Sequence, residues 1–397
     1  MKRWFVFLVM ILAVIAGLWW RQQREVGAAT AVSASVTSYL SGEADAAFAR
    51  ATEPGAIRFP RDLAAHDEYQ TEWWYYTGNL QTADGREFGY QFTIFRRALI
   101  PEIGDWRLEI EASEQSPTSN PQSPSSNWRT NQVYFAHFTV SDIANRQFYQ
   151  HEKLSRGSTG LAGAQAEPYR VWIEVWSAME TAPGVVRLRA QSEDVTIDLQ
   201  LRQTLPPILH GDAGLSQKGP EAGNASYYYS FVQQPTEGTV QIGNQTFTVS
   251  GVSWKDHEYG TSALTRAAVG WDWFSAQLDN GAALMVGQIR EADGRASPYS
   301  IGTWIAADGE TTVLSAADMN LTVSDTWRSP TTGITYPAGW RLEIPKVGLV
   351  LTAVPLMPNQ ELTLNTTYWE GAIAYSGIVN GEPISGRGYV ELTGYNQ

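Results

Sequence analysis

Four aromatic residues in succession, Trp73-Trp74-Tyr75-Tyr76, stand between Glu72 and Thr77-Gly78-Asn79-Leu80. The run passes through a turn, Ala83-Asp84-Gly85-Arg86, into Phe88-Gly89-Tyr90-Gln91-Phe92-Thr93-Ile94-Phe95-Arg96. Residues 88, 90, 92 and 94 alternate with smaller or polar ones. Period two on either side of an Asp-Gly turn predicts a β-hairpin with large rings on its strands.

The same pattern is written again. Trp271-Asp272-Trp273-Phe274-Ser275-Ala276-Gln277-Leu278 sets Trp271 on Trp73, Trp273 on Tyr75, Phe274 on Tyr76 and Leu278 on Leu80. A turn follows, Asp279-Asn280-Gly281, then an apolar strand, Leu284-Met285-Val286. Phe247-Thr248-Val249-Ser250-Gly251-Val252 and Ile384-Ser385-Gly386-Arg387-Gly388-Tyr389 also match, with Gly251 on Gly388. Each half opens with an aromatic hairpin and closes with a glycine-bearing strand, so the chain reads as a tandem duplication.

A length of 397 residues suits two or three domains of ~150 residues. The duplication selects two, 57–260 and 261–397, after a linker at 28–56. Charged residues are 17% and aromatics 12%, with 35 Gly and 19 Pro, a composition of short strands and turns. A net charge of −13 argues against nucleic acid or an anionic membrane surface as partner. The chain has no cysteine, which excludes disulfides, zinc thiolates, iron–sulfur clusters and thiol nucleophiles. Residues 1–27 hold a short basic start and the apolar run Trp4 to Trp20, followed by Arg21 and Arg24. They read as a signal peptide or a membrane anchor, and so as export to the periplasm or another extracytoplasmic space.

After residue 50 helical signal is scarce. Glu111 to Thr130 is rich in Ser, Pro and Asn and reads as a mobile loop. Strands are expected at 133–140, 169–176, 185–190 and 195–201, and in the same style through the second half. Leu205-Pro206-Pro207-Ile208-Leu209-His210-Gly211 interrupts the pattern. The fold class is therefore all-β, with enough short strands in each half to close a small antiparallel barrel able to hold one apolar ligand.

Five segments carry a family resemblance: 72–80, 85–91, 271–274, Tyr368-Trp369-Glu370-Gly371 and 386–395. They resemble the secreted relatives of carotenoid 1,2-hydratase (hydroxyneurosporene synthase), labelled "attachment" proteins or predicted secreted hydrolases. From about residue 57 to the end, the resemblance implies two tandem lipocalin-like (calycin) barrels. It also implies a range of activities, from a hydratase acting on an isolated alkene to cyclases of polyenes. Many such relatives are found beside ABC-transporter permeases, which makes membrane-transporter components a partner class. Fold alone does not choose among these.

The densest polar and aromatic cluster is Trp254-Lys255-Asp256-His257-Glu258-Tyr259-Gly260. Trp254, Asp256 and Glu258 share one strand face, and so do Trp271 and Trp273. Hydrating an alkene requires a carboxylic acid kept protonated by desolvation, aromatic faces beside the carbocation and a positioned water. Asp256 and His257 are the catalytic candidates. Glu72, Trp74, Tyr76, His137, Trp254, Tyr259, Trp271, Asp272 and Trp273 are the ligand-binding candidates. Alternatives stand beside these. The Asp/His pair could instead tie one barrel to the next, Glu72 could pair with Arg96 or Arg97 across its hairpin, and His137 reads more readily as a satisfied core residue. His66 and His151 are expected only to meet solvent. No metal or cofactor is expected. Hydrolase motifs are missing: Gly251-Val252-Ser253-Trp254-Lys255 fails as a nucleophile elbow, and His151-Glu152 and His257-Glu258 lack a second histidine.

Three functions fit. The first is an exported protein that binds a lipid, polyene or other apolar small molecule. The second is an acid-catalysed hydratase or cyclase, which requires Asp256 and His257 to face a cavity. The third is a rigid structural spacer.

Overall fold

The computed structural model describes residues 47–99, 130–261, 264–265, 267 and 268–395. The expected signal or anchor, residues 28–46 of the linker and the 111–130 loop, save Thr130, lie outside the described residues. Those described build two antiparallel sheets, one of thirteen strands and one of ten. Their helical turns are three-residue 3-10 segments such as Arg61–Leu63 and Pro345–Val347. All strands of the first sheet fall within 71–260 and all strands of the second within 268–392.

The repeat read in the sequence is a repeat of topology. In the first sheet the aromatic strand Thr71–Gln81 lies between its hairpin partner Glu87–Ala98 and the closing strand Gln245–Gly260. In the second, Ala268–Leu278 lies between Ala283–Glu291 and Glu382–Leu392. Strand register corrects the match of the two ends. Leu80 faces Gly251, and Leu278 faces Gly386, so Gly251 corresponds to Gly386, two residues before Gly388. Both glycines are required by close approach. A Cβ on Gly251 would sit 2.0 Å from the Asn79 carbonyl oxygen, and one on Gly386 2.4 Å from that of Gln277.

One expected strand is a hairpin instead. The 169–176 run splits into Arg170–Ile173 and Trp176–Ala182, because Glu174 turns the chain with φ of 53°. The burial alternation changes phase at the turn: Val171 and Ile173 are buried, Val175 is exposed, and Trp176 and Ala178 are buried.

Each sheet curls into a barrel or half-barrel, and Lys153 from one end of the first sheet pairs with Glu174 near the other. Among the described residues both interiors are filled. The first is filled by Trp74, Tyr76, Phe92, Phe138, Trp176, Leu188 and other buried apolar residues. The second is filled by Phe274, Trp340, Leu342, Leu351, Trp369 and their neighbours. The expected ligand space inside a barrel is taken by the protein's own side chains. A third cluster joins the two sheets, with Tyr75, Tyr228 and Trp254 from the first against Trp273, Met285, Ala372 and Tyr389 from the second. Burying each large side chain there contributes about 1.5–3 kcal/mol. Asn79 Nδ2 donates to the Gly388 carbonyl at 3.0 Å, and Gln277 Nε2 donates to the carbonyls of Val232 and Ser253 at 2.9 Å each. The two halves are thus held outer face to outer face.

Candidate active site between the two sheets

A cleft opens where the aromatic strands of the two halves face one another. Its empty space is about 1040 Å³, including the open mouth. The walls correspond pairwise. Trp73, Tyr75 and Phe95 come from the first sheet, and Trp271, Trp273 and Ile289 from the second. Tyr75 is opposite Asp256 in the register of the first sheet, and Trp273 is opposite Glu391 in that of the second. Asp256 and Glu391 therefore occupy equivalent places, one from each half, and both line the cleft.

The two acids also have like environments. Trp254 Nε1 donates to Asp256 Oδ1 at 2.6 Å, and Trp271 Nε1 donates to Glu391 Oε2 at 3.2 Å. Burial raises the Asp256 carboxyl to about 7. Hydrogen bonds from Ser230, Trp254 and Tyr228 pull it down, and the nearby Glu258 charge pushes it up. Burial likewise raises Glu391 to about 7, against the Trp271 bond and with the charges of Asp256 and Glu258. Glu370, fully buried behind the wall, is held well above its usual range by burial and by Glu391. It accepts a hydrogen bond from Tyr75 Oη. Two carboxyls in the neutral range, with the Asp256 charge raising Glu391, make an acid and a base available at one time. Lys218 at the cleft is engaged by Glu258 at 2.8 Å.

His257 points the other way. Adjacent residues on a strand face opposite sides, and His257 lies with Glu72, Trp74 and Tyr259 on the side away from the cleft. Glu72 Oε1 is 2.7 Å from His257 Nε2 and 2.7 Å from His66 Nδ1, while Glu72 Oε2 receives Arg96 Nε at 2.8 Å and the His66 backbone N–H at 2.9 Å. Burial opposes the charge on His66, but the Glu72 and Asp62 carboxylates together overcome it and raise the group to about 9. Burial lowers His257 to about 4 despite its bond to Glu72. Glu72 stays well below its usual range, because Arg96 and His66 outweigh the cost of burial. His66, Glu72 and His257 form one group whose ligand atoms lie within 4.8 Å of one another. The Arg96 guanidinium already supplies the positive charge a metal would bring, and these donors already occupy the carboxylate. The group fits a hydrogen-bonded lock better than a metal centre.

The other sequence candidates divide between the two faces. Trp271 and Trp273 line the cleft, and Trp254 backs Asp256. Trp74 stacks on His257 with ring centroids 4.8 Å apart, and Tyr259 stacks on His66 at 3.5 Å. Tyr76 bonds Tyr169 inside the first barrel. Asp272 turns from the cleft to Arg290 at 2.9 Å and Tyr395 at 3.0 Å. His137 is one layer back, its Nδ1 2.8 Å from the Oη of the cleft residue Tyr368. Glu72 takes the salt bridge to Arg96 that its hairpin register allows. His66, expected in solvent, is buried in this lock.

Glu391, Glu370, Tyr75 and Tyr228 were missed. The sequence match set Gly251 on Gly388, which places Asp256 against Thr393. Moving it by two residues brings Asp256 onto Glu391. Because β pairing has period two, that slip keeps the face and loses the partner.

Comparison with known proteins fits this architecture. A putative AttH from Nitrosomonas europaea superposes with a TM-score of 0.72 at 33% identity, over 86% of this chain and 99% of that one. Kievitone hydratase from Nectria haematococca shares the fold, with a TM-score of 0.62 at 17% identity over 87% of this chain and 98% of that one. In sequence, kievitone hydratase from Fusarium solani subsp. phaseoli is 26% identical over 213 residues, covering 52% of this chain and 59% of the relative. Dehydratase asqC from Emericella nidulans is 25% identical over 225 residues, covering 52% and 60%. The chain thus spans about three-fifths of the length of these curated relatives. The family model described as AttH-like matches residues 50–395, and the chain belongs to the AttH-like family.

Proposed function

We propose that this protein is a hydro-lyase that adds water to, or removes it from, a carbon–carbon double bond of a neutral apolar molecule held in the cleft. The observation that carries this reading is the pair Asp256 and Glu391, equivalent in the two halves, lining an aromatic cleft and both raised to about 7. In the hydration direction one carboxyl gives its proton to an alkene carbon. The resulting cation lies against the faces of Trp73, Trp271 and Trp273. Water attacks it and loses a proton to the other carboxylate, so the pair ends with its proton exchanged. Dehydration runs the same steps in reverse. The names of the two curated relatives, a hydratase and a dehydratase, support the reaction class. The acidic walls, with Lys218 already paired to Glu258, disfavour a carboxylate or phosphate on the substrate.

The test is solvent exchange. The protein is incubated in oxygen-18 water with a panel of neutral isolated alkenes and the matching tertiary alcohols, kievitone among them, and products are weighed by mass spectrometry. Incorporation of solvent oxygen is expected, with Asp256→Asn and Glu391→Gln each slowing it about 10²–10⁴-fold. No incorporation across the panel, or variants as fast as the parent, refutes the reading.

A further inference from the structure

The Pro-Pro-Ile-Leu-His-Gly stretch that interrupts the strand pattern delivers a buried histidine behind the cleft acid. Ile208 and Leu209 pair with Ser230 and Tyr229, and the His210 backbone N–H donates to the Tyr228 carbonyl at 3.1 Å. That pairing carries the His210 ring to a position fully buried between the sheets. His210 Nε2 is 2.6 Å from Ser230 Oγ, and Ser230 Oγ in turn bonds Asp256 Oδ1. On its other side, His210 Nδ1 is 2.8 Å from Oγ1 of Thr303, a residue of the second sheet. A continuous chain of side chains thus runs from Asp256 through Ser230 and His210 into the opposite half. The Tyr228 ring lies 4.3 Å from the His210 ring, and Lys218 Nζ lies 5.8 Å from the centre of the Tyr228 ring.

We propose that His210 is a positioning residue for Asp256. Acting through Ser230, it fixes the orientation and proton affinity of this acid, and through Thr303 it makes that setting depend on the two halves being docked. The proposal rests on the reading of Asp256 as the reacting acid.

The direction of the chain depends on where the Asp256 proton sits. When Asp256 is ionised, or carries its proton on the oxygen not bonded to Ser230, Ser230 donates to Oδ1, His210 Nε2–H donates to Ser230, and Thr303 donates to His210 Nδ1. A proton on Oδ1 reverses every donor in the chain and selects the other imidazole tautomer. His210 serves both states while neutral, and burial together with Lys218 lowers it to about 3, so it remains neutral while Asp256 titrates. Oδ1 is held by Ser230 and Trp254, and Tyr228 is a third donor to the carboxyl. The other groups acting on Asp256 are Tyr228, Glu258, Glu391, Glu370 and Lys255. All of them are unchanged in the variants below.

The experiment reads Asp256 twice, by the carboxyl infrared band that Asp256→Asn removes and by the pH profile of solvent exchange. His210→Leu removes the donor to Ser230, and Ser230→Ala removes the donor to Asp256. Each is expected to raise the Asp256 titration and the falling alkaline limb of the profile by about 1–2 pH units, the scale of one hydrogen bond to a charged group. His210→Gln keeps a donor on Ser230 and is expected to restore the parent titration, which a purely space-filling role would not produce. If Ser230→Ala and His210→Leu both fold and leave the band and the limb in place, the proposal is overturned while the hydro-lyase reading stands. If Asp256→Asn is fully active, the hydro-lyase reading falls regardless of what the relay variants do.

Discussion

Replacing Arg96 with Met isolates the lock on the far side of the closing strand from the cleft. Arg96 and Glu72 are both 0% exposed. The guanidinium also donates to Gln132 Oε1 at 2.7 Å and to the carbonyls of His66 and Tyr69 at 2.6 and 2.9 Å. At an effective dielectric of about 20, two unit charges 2.8 Å apart attract by about 6 kcal/mol. Desolvation of both ions offsets much of that, so the intact pair adds little net stability. Removing one partner is a different matter. It leaves the buried Glu72 carboxylate without the guanidinium that balances its charge and takes a donor from the carbonyls of His66, which keeps the Tyr69 N–H, and of Tyr69, so Arg96→Met should cost about 3–5 kcal/mol. The assay is denaturant unfolding at neutral pH, read as a fall in the midpoint with an unchanged slope. The double variant Arg96→Met with Glu72→Gln should recover part of the loss, since no uncompensated charge then remains. A single variant within about 1 kcal/mol of the parent, or a double variant with no recovery, would refute the account of Glu72 as a buried carboxylate held by Arg96.

Two further outcomes are expected. The Asp256 carboxyl is raised from 3.8 to about 7 in the folded protein, so its ionisation opposes folding above that range. Asp256→Asn should therefore stabilise the protein by a few kcal/mol above pH about 7, and the gain should fade as pH falls toward the unfolded value; denaturation midpoints across that range check it. Gly251→Ala and Gly386→Ala each force a Cβ against a carbonyl oxygen of the opening strand. Thermal melts should show both destabilised by about 1–3 kcal/mol, and Gly85→Ala, with open space around its Cα, should show only the strain of its positive φ.

The two-barrel fold was legible because it rests on period-two alternation, turn residues and a duplication, all local signals. The aromatic strands, the hairpins and the face shared by Trp254, Asp256 and Glu258 follow from them directly. The site was half legible. Asp256 stands out beside Trp254, yet its counterpart Glu391 sits in Gly388-Tyr389-Val390-Glu391-Leu392, where nothing local marks an acid as buried. Only the strand register brings it to the cleft. His257 drew notice for the same local reason as Asp256, and alternation turns it to the opposite face. His66 and His210 sit in irregular segments whose burial depends on packing between elements far apart in the chain. Whether a barrel is hollow or filled was likewise beyond the pattern, since inward rings read the same whether they line a pocket or close it.

The central claim is that the cleft holds two carboxyls able to carry a proton near neutrality. It is tested without any substrate by infrared titration of the protonated carboxyl stretch from pH about 5 to about 9, in the parent, Asp256→Asn and Glu391→Gln. The account predicts bands that disappear around pH 7, titrating as a coupled pair, with each variant removing one of them and shifting the other downward as a neighbouring charge is lost. Complete ionisation of both groups at the acid end of that range would contradict it.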